Sequence, residues 1–331
     1  MPPSPTILVI GSYVQDLSWK CRSFPAAGET TVGTFTTGPG GKGSNQAIAA
    51  ARAGTPQNVL YIGAVGRDAF AREARAIHRA EKIPAHLVEK PRHPTGTAAI
   101  LVNEHGQNEI IVALGANAHL TRSDIPPAAL KRAKILVVQH ESNMDTTAWA
   151  LKTARRAGAT TILNPAPMRP DLDPATLAHV DILIPNETEF TALVNLLHLS
   201  PAAPFTEKTL HTLFAQTPSA LHALCRRLLP PNVIITLGSQ GCFISQPTGH
   251  THIPAHTAIK VVDTTGAGDA FVGGLAAGLA RQNPAAPPDL IAAARYGTAV
   301  AALSVTKPGT APSMPTKREI TAFLAKRASS R

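Results

Sequence analysis

The sequence is poor in the residues that build disulfide frameworks and zinc sites. Its three cysteines, Cys21, Cys225 and Cys242, lie far apart, and no two of them have CxxC spacing. An odd number of distant cysteines argues against a disulfide scaffold and against a cysteine-ligated zinc ion. The closest pair among the 13 histidines, His250 and His252, lies in a predicted hairpin without a third ligand nearby in the sequence. We therefore expect neither a disulfide-bonded module nor a zinc protein.

Long apolar runs are also missing. No run approaches the roughly 18 residues that a membrane-spanning helix needs. The first residues, MPPSPTILVIGSY, lack the charged region and the long apolar region of a signal peptide, and the last residues, ASSR, match no retention or peroxisomal signal. These features predict a cytoplasmic protein that does not interact with membranes.

Aromatic residues make up only 4% of the 331 residues, although the formal net charge is +10. Lysine and arginine are dispersed rather than collected in one block. A nucleic-acid platform usually combines a basic stripe with aromatic side chains on which bases stack. The composition therefore favours a basic surface that attracts small anionic ligands, and we expect no nucleic-acid partner.

Short apolar segments alternate with helical patterns along the chain. The predicted strands are 6–12, 58–66, 133–140, 160–164, 181–186 and 232–238. The predicted helices are 44–54, 68–80, 145–157, 187–197, 218–229, 267–281, 287–304 and 316–327. Such alternation is typical of an α/β fold in which helices cover both faces of a mostly parallel sheet. The sequence predicts one such domain over residues 1–331.

Two segments depart from this pattern because polar and apolar residues alternate in them. They are 29–38 and 95–115, and the second contains two strand-like runs around the turn NEHGQN. Alternation indicates strands with one solvated face. We expect a small β-sheet lid built from about 12–40 and 95–115. The proline-rich segment 199–217 is interpreted as a loop-like insertion.

The glycine-rich run TGPGGKGSNQ, residues 37–46, is the first candidate site. It fits GxGxxG, but it follows a lid-like strand and no acidic residue lies about 20 residues further on, so a dinucleotide site is not supported. Lys42 is followed by Gly43, so the run is not a P-loop either. Two interpretations stay open. The turn could grip a polyhydroxylated molecule through its amides, Lys42 and Asn45, or it could be a tight turn with Ser44 as a helix N-cap.

The run VVDTTGAGDAF, residues 261–271, is the second candidate site. Gly266 and Gly268 precede a small-residue helix, whose N-terminal amides suit an anion. The amides of 265–269 could hold developing phosphate charge, and Asp269 could take a proton from an attacking hydroxyl. The alternative is that Asp269 only caps the helix.

Three further segments carry weaker signals. Asn186 and Glu189, in IPNETEF, have the spacing of a capping box, which explains them as well as a functional role does. The run TLGSQG, residues 236–241, follows a strand, and its glycines would let a nucleotide's phosphates pass closely. The loop 304–315 is rich in carbonyl and hydroxyl oxygens.

Taken together, these motifs resemble the ribokinase-like family of carbohydrate kinases. The resemblance covers nearly the whole chain, and its two signatures are GGKGSNQAIAAARAG and DTTGAGDAFVGGLAA. It implies a three-layer α/β/α sandwich with a mostly parallel central sheet and a small β-sheet lid. It also implies ATP-dependent phosphorylation of D-ribose at O5, with Mg²⁺ as the divalent cation and K⁺ as a monovalent activator. Family members pair their lids across a homodimer, which we expect here too.

The resemblance also implies roles for individual residues. The positions that match the family's sugar-binding residues are Asp16, Gly41, Lys42, Asn45, Glu141 and Asp269. Asp269 matches the catalytic base, and the amides of 265–268, which include Gly266, Ala267 and Gly268, match the anion hole. The positions that match nucleotide contacts are Asn186, Thr236, Gly238, Ser239, Gly241, Gly268 and Thr298, and Glu189 matches the residue that organises Mg²⁺ indirectly. The positions that match the K⁺ site are Asp263, Thr265, Ser304, Lys307, Gly309 and Ser313.

One sugar-binding position departs from the family's pattern. Bacterial members carry a sugar-contacting asparagine where this chain has Val14, and valine cannot bond a hydroxyl. A kinase for another pentose, a hexose or a nucleoside is therefore an alternative to a ribose kinase. A non-catalytic sugar-binding or nucleic-acid-binding protein is a further alternative, which the positive charge suggests and the intact Asp269 motif opposes.

Overall fold

The computed structural model describes residues 6–200, 204–257, 259–283 and 286–328. The strands are β1 (Ile7–Ile10), β2 (Val14–Lys20), β3 (Thr34–Gly40), β4 (Val59–Val65), β5 (Ala85–Glu89), β6 (Gly96–Val102), β7 (Asn108–Ala113), β8 (Ile135–Val138), β9 (Thr160–Leu163), β10 (Ile182–Leu183), β11 (Asn232–Thr236), β12 (Cys242–Gln246) and β13 (Gly249–Ile253). The helices are α1 (Lys42–Ala53), α2 (Ala69–Ala80), α3 (Pro127–Arg132), α4 (Met144–Arg156), α5 (Glu187–Leu196), α6 (Glu207–Gln216), α7 (Pro218–Cys225), α8 (Ala267–Ala280), α9 (Leu290–Ser304) and α10 (Lys317–Ala328).

The larger sheet has nine strands in the order β13-β12-β11-β10-β9-β8-β1-β4-β5. From β5 to β11 all neighbours are parallel, whereas β12 and β13 are added as an antiparallel hairpin at the other edge. The apolar runs predicted to be strands form its interior, because parallel strands are covered on both faces. The edge strand β5 was not predicted, since its AHLVE sequence is half exposed and carries no continuous apolar run.

Successive residues of one strand contribute to different hydrophobic cores. Ile7 and Val9 pack with the small side chains of α1, α8 and α9, and Leu8 and Ile10 pack with residues of α3, α4, α5 and α7. This alternation follows from the two-residue repeat of a β-strand. Helices therefore cover both faces of the sheet, and the predicted three-layer α/β/α sandwich is confirmed.

A second, four-stranded sheet lies in the order β3-β2-β6-β7. Its strands fall within 12–40 and 95–115, the segments predicted to build the small β-sheet lid. One surface of this sheet carries large exposed apolar side chains, among them Phe35 (53% exposed) and Ile111 (76% exposed). Exposed apolar groups of this size on one sheet are typical of a surface that another protein covers.

The loop-like interpretation of 199–217 is wrong for 207–216, which form helix α6. Its N-cap is Thr206, whose side chain accepts a hydrogen bond from the Thr209 N–H at 3.2 Å. Leu210 is fully buried and anchors the helix on the sheet. Pro204 precedes the helix and Pro218 begins α7, so these prolines flank α6 rather than interrupt it. Residues 201–203 lie outside the described part of the chain.

Within the described ranges, no helix is both long enough and apolar enough to traverse a lipid bilayer.

Candidate active site

The glycine run joins β3 directly to α1. Gly41 is the N-cap of this helix and has a φ of 88°, a conformation that favours glycine. A Cβ atom at Gly41 would lie 2.5 Å from the Val14 nitrogen. The expected N-cap at Ser44 is wrong, because the left-handed turn at Gly41 lets the helix begin at Lys42. Ser44 is instead buried in the first turn, with its hydroxyl 3.4 Å from His78 Nε2.

The first amides of α1 bond to distant parts of the chain instead of to a capping side chain. The Lys42 N–H donates to Glu141 Oε2 at 2.9 Å, and the Ser44 N–H donates to the Ser12 carbonyl at 2.9 Å. The Ser12 hydroxyl also donates to Glu141 Oε2, at 2.6 Å. Glu141 is 5% exposed, so these bonds fix a buried carboxylate beside the glycine turn.

Two more carboxylates converge on this region, and one lysine opposes them. Burial above all, together with the negative charges of Glu141 and Asp269, raises the pKa of Asp16 to about 7, and the positive charge of Lys42 opposes this increase. Burial alone would lower the pKa of Lys42, but Asp269, Glu141, Glu189 and Asp16 together raise it above its ordinary value. Lys42 is therefore a half-buried ammonium ion surrounded by acidic groups.

Asp269 lies in the first turn of α8 and is 7% exposed. Its Oδ2 accepts from Asn45 Nδ2 at 3.1 Å, and its Oδ1 accepts from Gln46 Nε2 at 2.9 Å. The helix N-cap is Gly266, in the left-handed conformation and with no side-chain cap. The capping alternative for Asp269 is therefore wrong, since side chains of α1 hold its carboxylate.

Sequence reasoning missed the amide network behind Asp269. Gln46 also donates to Asn164 Oδ1 at 2.9 Å and accepts from Gln139 Nε2 at 2.6 Å. Asn164 in turn donates to the Ile184 carbonyl at 2.8 Å. A usable signal was present, because Asn164 directly follows the buried strand β9, and ligands of open α/β sheets bind at the carboxyl ends of the strands.

A cleft of about 170 Å³ lies beside Asp269 at this end of the sheet. It brings together many of the predicted site residues with others that sequence reasoning did not select, among them Asn164 and Thr264. The lining includes Lys42, Asn164, Asn186, Glu189, Thr236, Thr264, Gly266, Ala267, Gly268 and Asp269. The predicted sugar-binding and phosphate-binding groups therefore meet at Lys42 and Asp269.

The capping box predicted at the start of α5 is confirmed. Asn186 Oδ1 accepts from the Glu189 N–H at 2.8 Å, and Glu189 Oε2 accepts from the Asn186 N–H at 2.9 Å. Burial raises the pKa of Glu189 above its ordinary value, against the opposing effects of that hydrogen bond and of Lys42. Because both residues also line the cleft, the capping role and a ligand-binding role are compatible.

The predicted nucleotide contacts are only partly gathered in the cleft. Thr236 lines it and ends β11, and the turn that follows contains Gly238, Ser239 and Gly241. Thr298 does not belong to the described lining. It is buried in α9, where its hydroxyl donates to the Ala294 carbonyl at 2.9 Å.

Asp263 joins the two loops that contain the predicted monovalent-cation site. Its Oδ1 accepts from the Thr265 N–H and its Oδ2 from the Gly309 N–H, both at 2.9 Å. Burial alone would raise the pKa of Asp263, but these hydrogen bonds lower it below its ordinary value. Lys307 Nζ lies 2.7 Å from Glu319 Oε1, so a carboxylate offsets its positive charge.

Hydroxyl groups of the cation loops are also held in place. The hydroxyl of Ser304 donates to the Ala301 carbonyl at 2.8 Å, and that of Ser313 donates to the Thr310 carbonyl at 2.7 Å. Both oxygens keep lone pairs that can face a cation. Over the described ranges, no three His, Cys, Asp or Glu side chains converge as a metal site would require.

Comparison with known proteins agrees with this arrangement. Residues 4–317 match the model of the pfkB family carbohydrate kinases. A ribokinase of Mus musculus is 36% identical over 321 residues, which is 95% of this chain and 93% of that protein. The solved ribokinase of Giardia lamblia has a TM-score of 0.88 at 33% identity, covering 98% of this chain and 99% of that one. The Arabidopsis thaliana ribokinase solved with ribose and ATP has a TM-score of 0.81 at 28% identity, covering 97% and 99%. The chain belongs to the PfkB family of carbohydrate kinases.

Proposed function

We propose that this protein transfers the γ-phosphoryl group of ATP to O5 of D-ribose and releases D-ribose 5-phosphate and ADP. The observation that carries the proposal is the placement of Asp269, which α1 side chains hold at the N-terminus of α8 beside a cleft. Similarity to ribokinases, one of them solved with ribose and ATP, supports the choice of substrates. We propose a cytoplasmic location, where ATP is abundant.

The sugar would bind on the α1 side of the cleft. Asp16, Glu141 and Lys42 offer charged partners for hydroxyl groups, and Asn45 Oδ1 is buried without a hydrogen-bond partner. A buried orphan acceptor is costly unless a ligand or water donates to it. A sugar hydroxyl would satisfy Asn45 Oδ1 while the Asn45 amide nitrogen keeps its bond to Asp269.

Asp269 would act as the general base. Asn45 and Gln46 donate to its two oxygens, which orients the carboxylate before the substrate arrives. As O5 attacks the γ-phosphorus, Asp269 accepts the O5 proton and ADP leaves with the electron pair of the broken P–O bond. The amides of Gly266, Ala267 and Gly268, at the N-terminus of α8, would stabilise the negative charge on the transferring group.

The nucleotide would lie between α5 and the turn after β11. Gly238, Ser239 and Gly241 would approach the phosphates closely, and Thr236 and Asn186 would contact them from the cleft wall. Glu189 would hold Mg²⁺ indirectly, and its buried carboxylate fits that task because it is oxygen-rich and negatively charged. When bound, Mg²⁺ neutralises the charge of the β- and γ-phosphates.

A monovalent cation fits the loops beside the anion hole. Asp263 connects them, and Glu319 offsets the charge of Lys307 that would otherwise repel a cation. A bound K⁺ would supply positive charge next to the anion hole. The residues that would surround it are Asp263, Thr265, Ser304, Lys307, Gly309 and Ser313.

A kinase for another sugar is the second candidate, and Val14 motivates it. Val14 is 1% exposed and lies on the same face of β2 as Asp16, two residues away. Its side chain contributes no hydrogen bond to a hydroxyl at that position. Another pentose, a hexose or a nucleoside would retain the same phosphoryl-transfer chemistry, so only the acceptor would change.

The small sheet would serve as a lid and as a dimer interface. Trp19, Phe35, Ile110 and Ile111 leave apolar surface exposed on it. Pairing two such sheets in a homodimer would remove this surface from water.

The direct test is turnover across a sugar panel with Mg²⁺ and ATP. We expect ADP release that depends on D-ribose and that increases when K⁺ replaces tetramethylammonium at equal ionic strength. The panel would contain 2-deoxy-D-ribose, D-fructose and adenosine as competing acceptors. If ADP release does not depend on D-ribose but another acceptor is phosphorylated, that acceptor replaces D-ribose as the proposed substrate.

Asp269→Asn should abolish most turnover, because an amide cannot accept the O5 proton. We expect kcat to fall by about 10²–10⁴-fold, the usual contribution of a general base, with ribose binding measured by calorimetry largely retained. Asp145→Asn, at an exposed position of α4, is the matched control and should keep wild-type turnover. If Asp269→Asn keeps most of its activity, Asp269 is not the base.

Asp16→Asn should stabilise the ligand-free protein in a pH-dependent way. The pKa of Asp16 in the folded protein, about 7, exceeds its ordinary value of 3.8, so ionisation costs the folded state free energy as pH increases between these values. The variant avoids this cost. The difference in unfolding free energy should grow from about pH 4 to about pH 7 by up to roughly 4 kcal/mol and then stay level. Thermal melts of wild type, Asp16→Asn and the control Asp145→Asn would measure it. A pH-independent difference would contradict the prediction.

Multi-angle light scattering at micromolar concentration should show a dimer. Ile111→Lys puts a charge into the proposed interface and should yield a monomer, because burying an unpaired ammonium group is costly. Leu229→Lys is the matched control, since Leu229 is 61% exposed and belongs to neither sheet. A monomeric wild type would exclude the lid dimer.

A further inference from the structure

Helix α6, which forms most of the 199–217 insertion, contacts the start of α5 and the β12–β13 hairpin, the two elements beside the proposed nucleotide site. We propose that α6 is a positioning element for ATP, and that Phe214 and His252 transmit its effect to the turn Gly238–Gly241. The inference rests on the proposed function, because it concerns the place where the nucleotide of that reaction binds.

The first contact is a hydrogen bond to the turn itself. His252 Nε2 lies 2.7 Å from the Gln240 carbonyl oxygen. Because a carbonyl can only accept, Nε2 must carry the hydrogen. The turn is closed by a bond from the Leu237 N–H to the Gly241 carbonyl at 2.8 Å, and it directly follows Thr236, which lines the cleft. His252 therefore holds the turn from its outer side.

The second contact orients the imidazole ring. The Phe214 ring, from α6, lies 5.0 Å from the His252 ring at an interplanar angle of 73°. Phe214 also packs on the buried ring of Phe243 at 6.2 Å and 84°. Edge-to-face geometry of this kind is favourable for aromatic pairs. His252 is exposed, so the Phe214 contact restricts a side chain that could otherwise rotate into solvent.

The opposite end of α6 contacts the other wall. Glu207 Oε1 accepts from the Thr188 hydroxyl at 2.6 Å, and Thr188 lies between Glu187 and Glu189 in the first turn of α5. Burial raises the pKa of Glu187 above its ordinary value, and the charge of His211, also on α6, opposes that increase. Helix α6 thus connects the start of α5 with the β12–β13 hairpin and, through His252, with the turn Gly238–Gly241.

This connection has an energetic consequence for nucleotide binding. The turn contains glycines at both ends, and glycine loses more conformational freedom on ordering than any other residue. A turn that is already held in place has less freedom to lose when a nucleotide binds, so the affinity is higher. We call the contacts from Phe214 to His252 and from His252 to the Gln240 carbonyl the relay. Among the described residues, no hydrogen bond or ring contact joins the relay to Asp16, Lys42 or Glu141, so the sugar side of the cleft should not respond to its loss.

Substitutions at the relay should weaken nucleotide binding selectively. His252→Phe keeps an aromatic ring but removes the N–H donor, and Phe214→Leu removes the ring that orients it. We expect each to raise the Kd for ADP, measured by calorimetry with Mg²⁺, and the KM for ATP by about three- to tenfold. His252→Gln keeps a donor of similar reach and should stay near wild type. The KM for ribose should be unchanged in every variant.

His250→Phe is the matched control. His250 lies on the same face of β13 and stacks on Phe243 at 5.4 Å, but it has no contact with the turn. The proposal would be overturned if His252→Phe binds ADP with wild-type affinity, or if His250→Phe loses as much ADP affinity as His252→Phe. It would also be overturned if the wild-type protein does not bind ADP. If His252→Phe does not fold, as judged by its thermal melt, Phe214→Leu decides in the same way. If the wild type and the variants bind ADP as expected but the wild type does not turn over ribose, the role of α6 is supported and D-ribose is not the substrate.

Discussion

The close packing of α1 against α8 is the constraint on which the site depends. A Cβ atom at Gly273 of α8 would lie 2.5 Å from Ala49 Cβ and 2.6 Å from the Gln46 carbonyl oxygen. Only a residue without a side chain allows the two helices to approach this closely. At that separation Asn45 and Gln46 reach the carboxylate of Asp269. The same contact brings the N-termini of both helices to one cleft.

The charges beside that cleft favour the ionised form of the lysine and disfavour the ionised form of one acid. Lys42 is surrounded by carboxylates that raise its pKa, whereas burial and like charges raise the pKa of Asp16 to about 7. An unpaired buried charge is strongly destabilising, while shared pairing reduces the cost. The ligand-free site is therefore a set of polar groups arranged without all their partners, as the orphan Asn45 Oδ1 shows. A polyhydroxylated ligand, as proposed above, would supply the donors and acceptors that are missing.

The architecture could be predicted from the sequence. Strands that are buried on both faces of a parallel sheet occur as short continuous apolar runs, and helical patterns separate one run from the next. The sequence predicted one edge strand of the large sheet and the helix of the insertion less well. Strand β5 has an exposed face, and α6 was hidden by the prolines that flank it. Motifs identified Asp269 and Lys42, but they could not identify Gln46 as a partner of Asp269, since 223 positions separate these residues. The start of α1 was mistaken because serine is a common N-cap, whereas here a left-handed glycine and tertiary hydrogen bonds replace the cap.

Hydrogen bonds and close packing connect the loops around the cleft to one another. The Thr310 hydroxyl donates to the Pro39 carbonyl at 3.1 Å, at the end of the strand that leads into the glycine turn. A Cβ atom at Gly266 would lie 3.3 Å from Thr310, so the same residue also borders the proposed anion hole. Asp263 then ties the loop of Thr310 to the segment before α8. A shift of the 304–315 loop would therefore move the glycine turn or the start of α8. A cation bound in that loop, as proposed above, would thus act on both segments without contacting the sugar.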